Sequence, residues 1–424
     1  VLLGALLASA AWGQRPDDRA TQGSGERAAE RTPPLTVVAA DAPIELGARP
    51  AYLVNDMRDG PLKTRLAACL SKQPSRTTFS IGHRGAGIRY AEHTKEAYEA
   101  GFRMGAGVLE CDVTFTRDLV LVCRHSQNDL ATTTNIVTTP LAATCRKPFR
   151  PAEIDANGRL IRAARAECRT SEITAAEFKT LRGKIDAFNA AARTPEEFVD
   201  AQPPPRAGFD AGIPTGELLT HAESIALFGE LGVKMTPELK EPSVRMPFNG
   251  MTRDDAAQKL IDEYVAAGVD PANVFPQSFD IRDVRYWIEH DPDFGRQALL
   301  LDDAGIEAQL PHAGKLARYK ARGINIWAPP LFALLSLDGN GRIVASRHAR
   351  AARAAGLEIV AWTLERSGNL ALGNPGFYYR TIAGALSREG DVLEVLDVLA
   401  RDVGARGVFS DWPATVTFYA SCAP

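Results

Sequence analysis

From Thr78 onward, short β-rich runs alternate with stretches whose apolar residues recur at helical spacing. The run "FSIGH" reads as a strand, and "HTKEAYEAGFRMG" as a helix with Ala97, Phe102 and Met104 among its apolar positions. "GVLECDVTFT" is a second strand, returning through "RDLVLVCRH" as a hairpin. The alternation then stops. Between 126 and about 220, Thr runs and "QPPPRAGF" surround one helical segment, "TAAEFKTLRG". An interval of that length exceeds ordinary βα loops and predicts an inserted, mostly irregular capping subdomain. The alternation resumes at helix "HAESIALFGELG" and strand "VKMTPELK" and continues to "EIVAWTLE", "DVLEVLDVLARDVG" and "GVFSDWP". The openings count to about eight βα units, so the prediction is an α/β chain folded as a (β/α)8 TIM barrel over 77–420. A doubly wound open sheet would favour G-x-G-x-x-G at its first βα junction, and "HRGAGIRY" does not match it.

Upstream, the apolar "VLLGALLASAAWGQ" ends in small residues with A-x-A-like sites. Residues 1–13 therefore read as a signal-peptide remnant and 14–76 as a leader and N-terminal segment, which predicts a secreted or periplasmic protein. The run is too short to span a bilayer, and no later stretch reaches 18 consecutive apolar residues, so no stable membrane insertion is expected. The net charge of -3 gives no whole-protein footprint for nucleic acid or an anionic membrane. An anionic substrate must then be met by local Arg, Lys or metal. The six cysteines suit an oxidising compartment. Cys145 with Cys168 and Cys69 with Cys422 are the expected pairings, leaving Cys111 and Cys123 as free buried thiols within strands. No Cys/His spacing suggests zinc.

Ionisable and hydrogen-bonding residues gather where strands end: His83 and Arg84; Glu110 and Asp112; His125; Glu238 and Lys240; Gln277 and Ser278; Trp362; Asp411. In a barrel these ends and the following loops form one mouth. Glu110 and Asp112, at i and i+2 on a strand, face the same way. Two such carboxylates repel unless one protonates or a cation lies between them. With Glu238 they make an oxygen-rich set suited to Mg²⁺ or Ca²⁺, although an acidic pair bridged to a barrel Lys or Arg would look the same in sequence. Lys240 could fill that structural role or meet a phosphate oxygen. His83 and His125 form a candidate acid/base pair, and Arg84 offers a planar fork for phosphate oxygens. Together these groups point to hydrolysis or transfer at a phosphoryl centre. His93, His221, His290, His312 and His348 fall in predicted helices or loops and read as surface or capping residues.

The segment "GHRGAGIRYAEHTKEAYEAGFRMGAGVLECDVTFTRDLVLVCRH" resembles the opening of the glycerophosphodiester phosphodiesterase family, whose pattern is H-R-G, a P-E-N-T-like helix start, E-x-D and a later His. "TPELK" resembles the family's E-x-K strand, "PQSF" its S-F strand, "AWTLE" its W-T strand and "GVFSDWP" its closing T-D-x-P. The resemblance implies a barrel that hydrolyses glycerophosphodiesters to an alcohol and sn-glycerol 3-phosphate with a divalent metal. It implies Glu110, Asp112 and Glu238 as metal ligands and His83 and His125 as the acid/base pair. Arg84 would hold the phosphate, Lys240 would support it, and Trp362 would line the glycerol side. Glu92 matches the helix-start glutamate, and Asp411 reads as a structural anchor. Two positions depart from the pattern: His93 stands where Asn is usual, and Ser126 follows His125 where Asp is common. The long insertion is similar to that of larger secreted members. Two other functions fit the same barrel: a phospholipase acting on phosphatidylinositol, lysophospholipid or sphingomyelin head groups, and a secreted, non-catalytic binder of phosphorylated ligands.

Overall fold

Eight parallel strands close into a barrel in the computed structural model, which describes residues 42–202, 206–373 and 375–422. The strands are β1 (Thr77–Gly82), β2 (Ala106–Phe115), β3 (Lys234–Leu239), β4 (Gln277–Ser278), β5 (Leu299–Leu301), β6 (Ile326–Ala328), β7 (Glu358–Leu364) and β8 (Gly407–Ser410). Neighbours in sequence are neighbours in the sheet, and β1 pairs with both β2 and β8, which closes the ring. The helices following these strands are α1 (Lys95–Arg103), α2 (His221–Leu231), α3 (Arg253–Ala266), α4 (Ile281–His290), α5 (Ala313–Ala321), α6 (Arg347–Ala354), α7 (Asp391–Val398) and α8 (Ala414–Cys422).

Parallel strands covered on both faces read as continuous apolar runs, and β2 is buried along its whole length. Inward residues such as Ile81, Val108, Phe275, Leu299, Ile326 and Phe409 fill the barrel, so its interior is packed rather than open. Threonine starts several helices. Thr94 accepts the Ala97 N–H, while Thr220 and Thr252 form capping boxes with Glu223 and Asp255. Gly85 lets the chain turn between β1 and α1. Its φ is +90°, and a Cβ there would lie 2.5 Å from the Ala97 carbonyl carbon.

Past its barrel portion, β2 pairs antiparallel with a return strand, Leu121–Cys123, in the expected hairpin. The insertion that follows is more regular than its sequence suggests. It holds short antiparallel pairs and its own core, including Leu130, Ile136, Ile173, Phe178 and Phe198. Ahead of the barrel, helices Arg49–Asp56 and Pro61–Ala67 pack onto it. Arg49 is buried against Glu389, which also receives Arg206 from the far end of the insertion.

The cysteines are corrected in part. Cys145–Cys168 is a disulfide as expected, but Cys111 and Cys123 are bonded to each other and are not free thiols. The hairpin explains this: Cys123 lies opposite Val113, so Cys111 is its diagonal neighbour two residues along. Cys69 and Cys422 remain thiols; burial and the neighbouring Cys69 push Cys422 up to about 12. The expected signal remnant and residues 14–41 of the segment after it lie outside the described residues. Among the described residues, no helix is long and apolar enough to cross a membrane.

Candidate active site

The β2–β3 register places Glu110 beside Thr236 and Asp112 beside Glu238. Oxygens of Glu110, Asp112 and Glu238 lie within 4.8 Å of one another, and all three residues are buried. Each carboxylate is held from behind. Glu110 Oε2 accepts the Arg84 backbone N–H at 2.9 Å, and its Oε1 accepts from Gln277 Nε2 at 2.8 Å. Glu238 Oε1 is 2.5 Å from Lys240 Nζ. Asp112 Oδ2 pairs with His93 Nε2 at 2.8 Å, while its Oδ1 is buried with no hydrogen-bond partner.

That crowding shifts the three carboxyl groups apart. Burial, with Asp112 and Glu238 nearby, pushes Glu110 well above the usual carboxylate range. Burial raises Glu238 to about 7 against the pull of Lys240. Burial acts on Asp112 in the same sense, but Lys240, His93 and Arg84 outweigh it and hold Asp112 well below its ordinary value. An oxygen-only donor set, mutual repulsion and one orphaned carboxylate oxygen are what a hard divalent cation would satisfy. The residues fit a metal.

His83 follows β1 directly. Its Nδ1 is 3.0 Å from Asp411 Oδ1, and its Nε2 is 3.9 Å from Glu110 Oε2. Although burial acts to raise it, Asp411 is kept below its ordinary value by Arg366 and His83. A carboxylate only accepts, so Nδ1 carries the hydrogen and Nε2 keeps its lone pair on the side of the acidic cluster. Burial pushes His83 down to about 4, so its imidazole is neutral at neutral pH.

Arg84 adopts the left-handed φ of +55° and donates from Nη1 to Glu92 Oε2 at 2.9 Å, with Nε 3.5 Å from Asp112 Oδ2. Glu92 is the hub of three guanidinium groups: Arg84, Arg366 at 3.2 Å and Arg124 at 3.8 Å. Arg366 also donates to Asp411 Oδ1 at 3.0 Å, so it links the His83 side of the mouth to Glu92.

His125 stands two residues beyond the return strand. A ring nitrogen of His125 lies within 4.8 Å of oxygens of Glu92 and Asp129. Asp129 Oδ2 accepts the Ser126 N–H at 3.0 Å, and burial pushes its carboxyl up to about 7. The carboxylate absent at Ser126 is thus supplied three residues later. Burial, then Arg84 and Lys240, hold His125 well below its ordinary value. Trp362, from β7, donates Nε1–H to the Ala328 carbonyl at 2.9 Å and meets Phe279 and Tyr378 edge-on, each at 5.8 Å. Phe279 in turn lies 5.6 Å from Lys240 Nζ. An aromatic wall therefore adjoins the charged cluster.

The residues singled out at strand ends meet at this mouth or its wall, except Ser278, whose hydroxyl donates to Asp283 Oδ2 on α4 at 2.6 Å, and the structure adds others. His93 is fully buried between Asp112 and the Tyr98 hydroxyl, at 2.8 and 2.9 Å, which corrects its reading as a capping or surface residue. Its φ of +57° is a conformation that Asn and His adopt more readily than most residues, so the helix-start motif held the signal. His221 is also buried, against Glu263 and Tyr264, and His348 against the Pro311 carbonyl; neither is a surface residue. His312 caps α5 as expected. Asp411 is more than an anchor, since it orients His83. Arg366 and Asp129 carried no strand-end signal, and Arg124, which directly follows the return strand beside His125, was passed over.

A model described as the glycerophosphoryl diester phosphodiesterase family matches residues 83–415. A protein of Arthroderma benhamiae named "Extracellular protein" is 44% identical over 243 residues, which cover 56% of this chain and 99% of that relative. A Mycobacterium tuberculosis protein named "Probable glycerophosphodiester phosphodiesterase 1" is 47% identical over 49 residues, 12% of this chain and 18% of the relative. A crystal structure from Silicibacter pomeroyi DSS-3, named for the same activity, has a TM-score of 0.50 at 20% identity, covering 79% of this chain and 90% of that one. It supports the fold.

Proposed function

The chain belongs to the glycerophosphoryl diester phosphodiesterase family, and from that premise we propose that it hydrolyses glycerophosphodiesters to an alcohol and sn-glycerol 3-phosphate with Ca²⁺ or Mg²⁺. The reading is carried by one observation: His83 Nε2, with its lone pair free, lies beside a buried Glu110–Asp112–Glu238 cluster and next to Arg84.

Glu110, Asp112 and Glu238 would hold the cation, which when bound supplies charge to neutralise a phosphodiester oxygen. Arg84, fixed by Glu92 and Asp112, adds a planar cationic face to the same oxygens. His83 is the base. Its Nε2 takes the proton of the attacking oxygen, either the glycerol 2-hydroxyl or water, while Asp411 stabilises the imidazolium formed. The new bond from that oxygen to phosphorus forms as the bond to the leaving alkoxide breaks; where the 2-hydroxyl attacks, this gives a cyclic phosphate, which water then opens to sn-glycerol 3-phosphate. His125 relays a proton to the leaving oxygen as the one on Asp129 moves up behind it. Asp129, at about 7, can hold a proton beside it at neutral pH. Lys240 fixes Glu238 and supports the phosphate charge, and Trp362 lines the glycerol side.

Secretion is part of the proposal. It is supported by two disulfides, which persist in oxidising compartments, and by the name of the Arthroderma relative. Product analysis on glycerophosphocholine and related diesters, with chelator, Ca²⁺ and Mg²⁺ compared, tests the reading. Turnover should require metal and yield sn-glycerol 3-phosphate. Wild-type turnover by both His83→Ala and His125→Ala would overturn the assignment of base and acid.

A further inference from the structure

Between the bridged Cys145 and Cys168 the insertion extends a long β-arm. Lys147–Arg150 pairs with Arg165–Glu167, and beyond it Glu153–Ile154 pairs with Leu160–Arg162. Its middle is fixed: Ala152 N–H and Ala164 N–H, between the two ladders, donate to the carbonyls of Ala192 and Ala190, both at 2.8 Å. The outer part has no such support. A two-stranded ribbon standing alone in water is marginal, and this one carries aliphatic side chains at its end. Leu160 and Ile161 are 42% and 55% exposed. Adjacent positions on a strand face opposite ways, so the tip is apolar on both sides. That arrangement suits insertion into a soft interface better than docking against one flat protein face.

The charge of the arm differs from that of the chain. Residues 146–167 hold six Arg or Lys against three carboxylates, in a protein of net charge -3. All three carboxylates are already paired: Asp155 with Arg159, Glu153 with Arg162, and Glu167 with Lys147. Arg146, Arg150 and Arg165 have no carboxylate partner among the described residues, and Arg150 and Arg165 stand directly opposite each other across the ladder. Like charges so placed repel unless an anion lies between or beneath them. The root of the arm also abuts the mouth side of the barrel. Thr170 Oγ1 donates to the Phe115 carbonyl at the end of β2, and Arg169 Nη1 to the Ser243 carbonyl just after β3.

We propose that this arm docks the enzyme reversibly on an anionic lipid surface, with Leu160 and Ile161 entering the headgroup region and Arg150 and Arg165 meeting lipid phosphates. The surface is separate from the catalytic groups, so the proposal stands or falls independently of the substrate assignment. Co-sedimentation of the full chain with phosphatidylcholine vesicles, with and without phosphatidylglycerol, is the test. Binding should require the anionic lipid and weaken with added salt. Arg150→Ser/Arg165→Ser should weaken it about thirtyfold, from ~1 kcal/mol per arginine near an anionic surface. Leu160→Ser/Ile161→Ser should weaken binding even to the anionic vesicles, and turnover of soluble glycerophosphocholine by both variants should match wild type. Three results would each overturn the proposal: no vesicle binding, binding that neither double variant changes, or retention on an anionic polysaccharide without vesicle binding.

Discussion

Removing the Asp411 carboxylate is expected to slow turnover without disturbing the acidic cluster. Asp411 Oδ1 accepts from both His83 Nδ1 and Arg366 Nε at 3.0 Å, and the residue is fully buried. A hydrogen bond to a charged group contributes about 1.5–3 kcal/mol. Asp411→Ala, which frees the His83 ring to rotate and to change tautomer, should therefore lower kcat/KM roughly 10- to 150-fold. Asp411→Asn keeps an oxygen for both donors, with its amide nitrogen toward Thr363 Oγ1 at 3.5 Å, and should retain more activity than alanine. It removes the negative charge that partly offsets burial at His83. Protonation of His83 then becomes harder, and the acid limb of the pH–rate profile moves to lower pH. A merely structural role for Asp411 would lower the rate without moving that limb. Steady-state release of sn-glycerol 3-phosphate from glycerophosphocholine across pH, with a thermal melt for each variant, measures both effects. Folded Asp411→Ala with unchanged kcat/KM and an unchanged profile would refute the reasoning.

Other perturbations follow from the same geometry. His93→Ala leaves Asp112 Oδ2 without its buried partner, and should weaken divalent-metal binding about 10- to 100-fold by calorimetry. His83 is neutral in the fold because burial lowers it from 6.5 to about 4. Its contribution to stability is therefore complete above about pH 6.5 and is lost as pH falls toward 4, amounting to about 3 kcal/mol across that window. Urea denaturation of the metal-free protein should show this as a pH-dependent difference between wild type and His83→Asn; a difference that is flat with pH would contradict it. Replacing Cys111 and Cys123 by Ala opens a loop with a sequence separation of 12 and should lower stability by about 3 kcal/mol in the same assay.

The barrel was legible because each β-rich run and its following helix keep their own period, and short connections make neighbours in sequence neighbours in space. The strand-end residues were legible for the same reason: parallel strands send all their carboxyl ends to one side. His83, Arg84, Glu110, Asp112 and Glu238 needed nothing further. Asp129 and Arg366 were not legible because loops carry them, and loop geometry depends on single backbone conformations; Arg124 stood at the strand end beside His125, but an arginine there looks like a solvated charge. Glu365, just before Arg366, has a φ of +68°, and the sequence holds no mark of it. The Cys111–Cys123 bond was nearly within reach. The hairpin was recognised, and only its register separates two buried thiols from a cross-strand bridge.

That bridge has a dynamic consequence. Cys111 sits between Glu110 and Asp112, and Cys123 lies two residues before His125. The covalent ring that the bridge closes contains Asp112, with Glu110 one residue before it and His125 two residues after it, and the insertion hangs beyond His125. Local openings of 126–220 can exchange amide hydrogens and rearrange the cap without drawing His125 away from the strand that carries Glu110 and Asp112. The cap can diverge in shape and stability while His125 stays tied to the strand of Glu110 and Asp112.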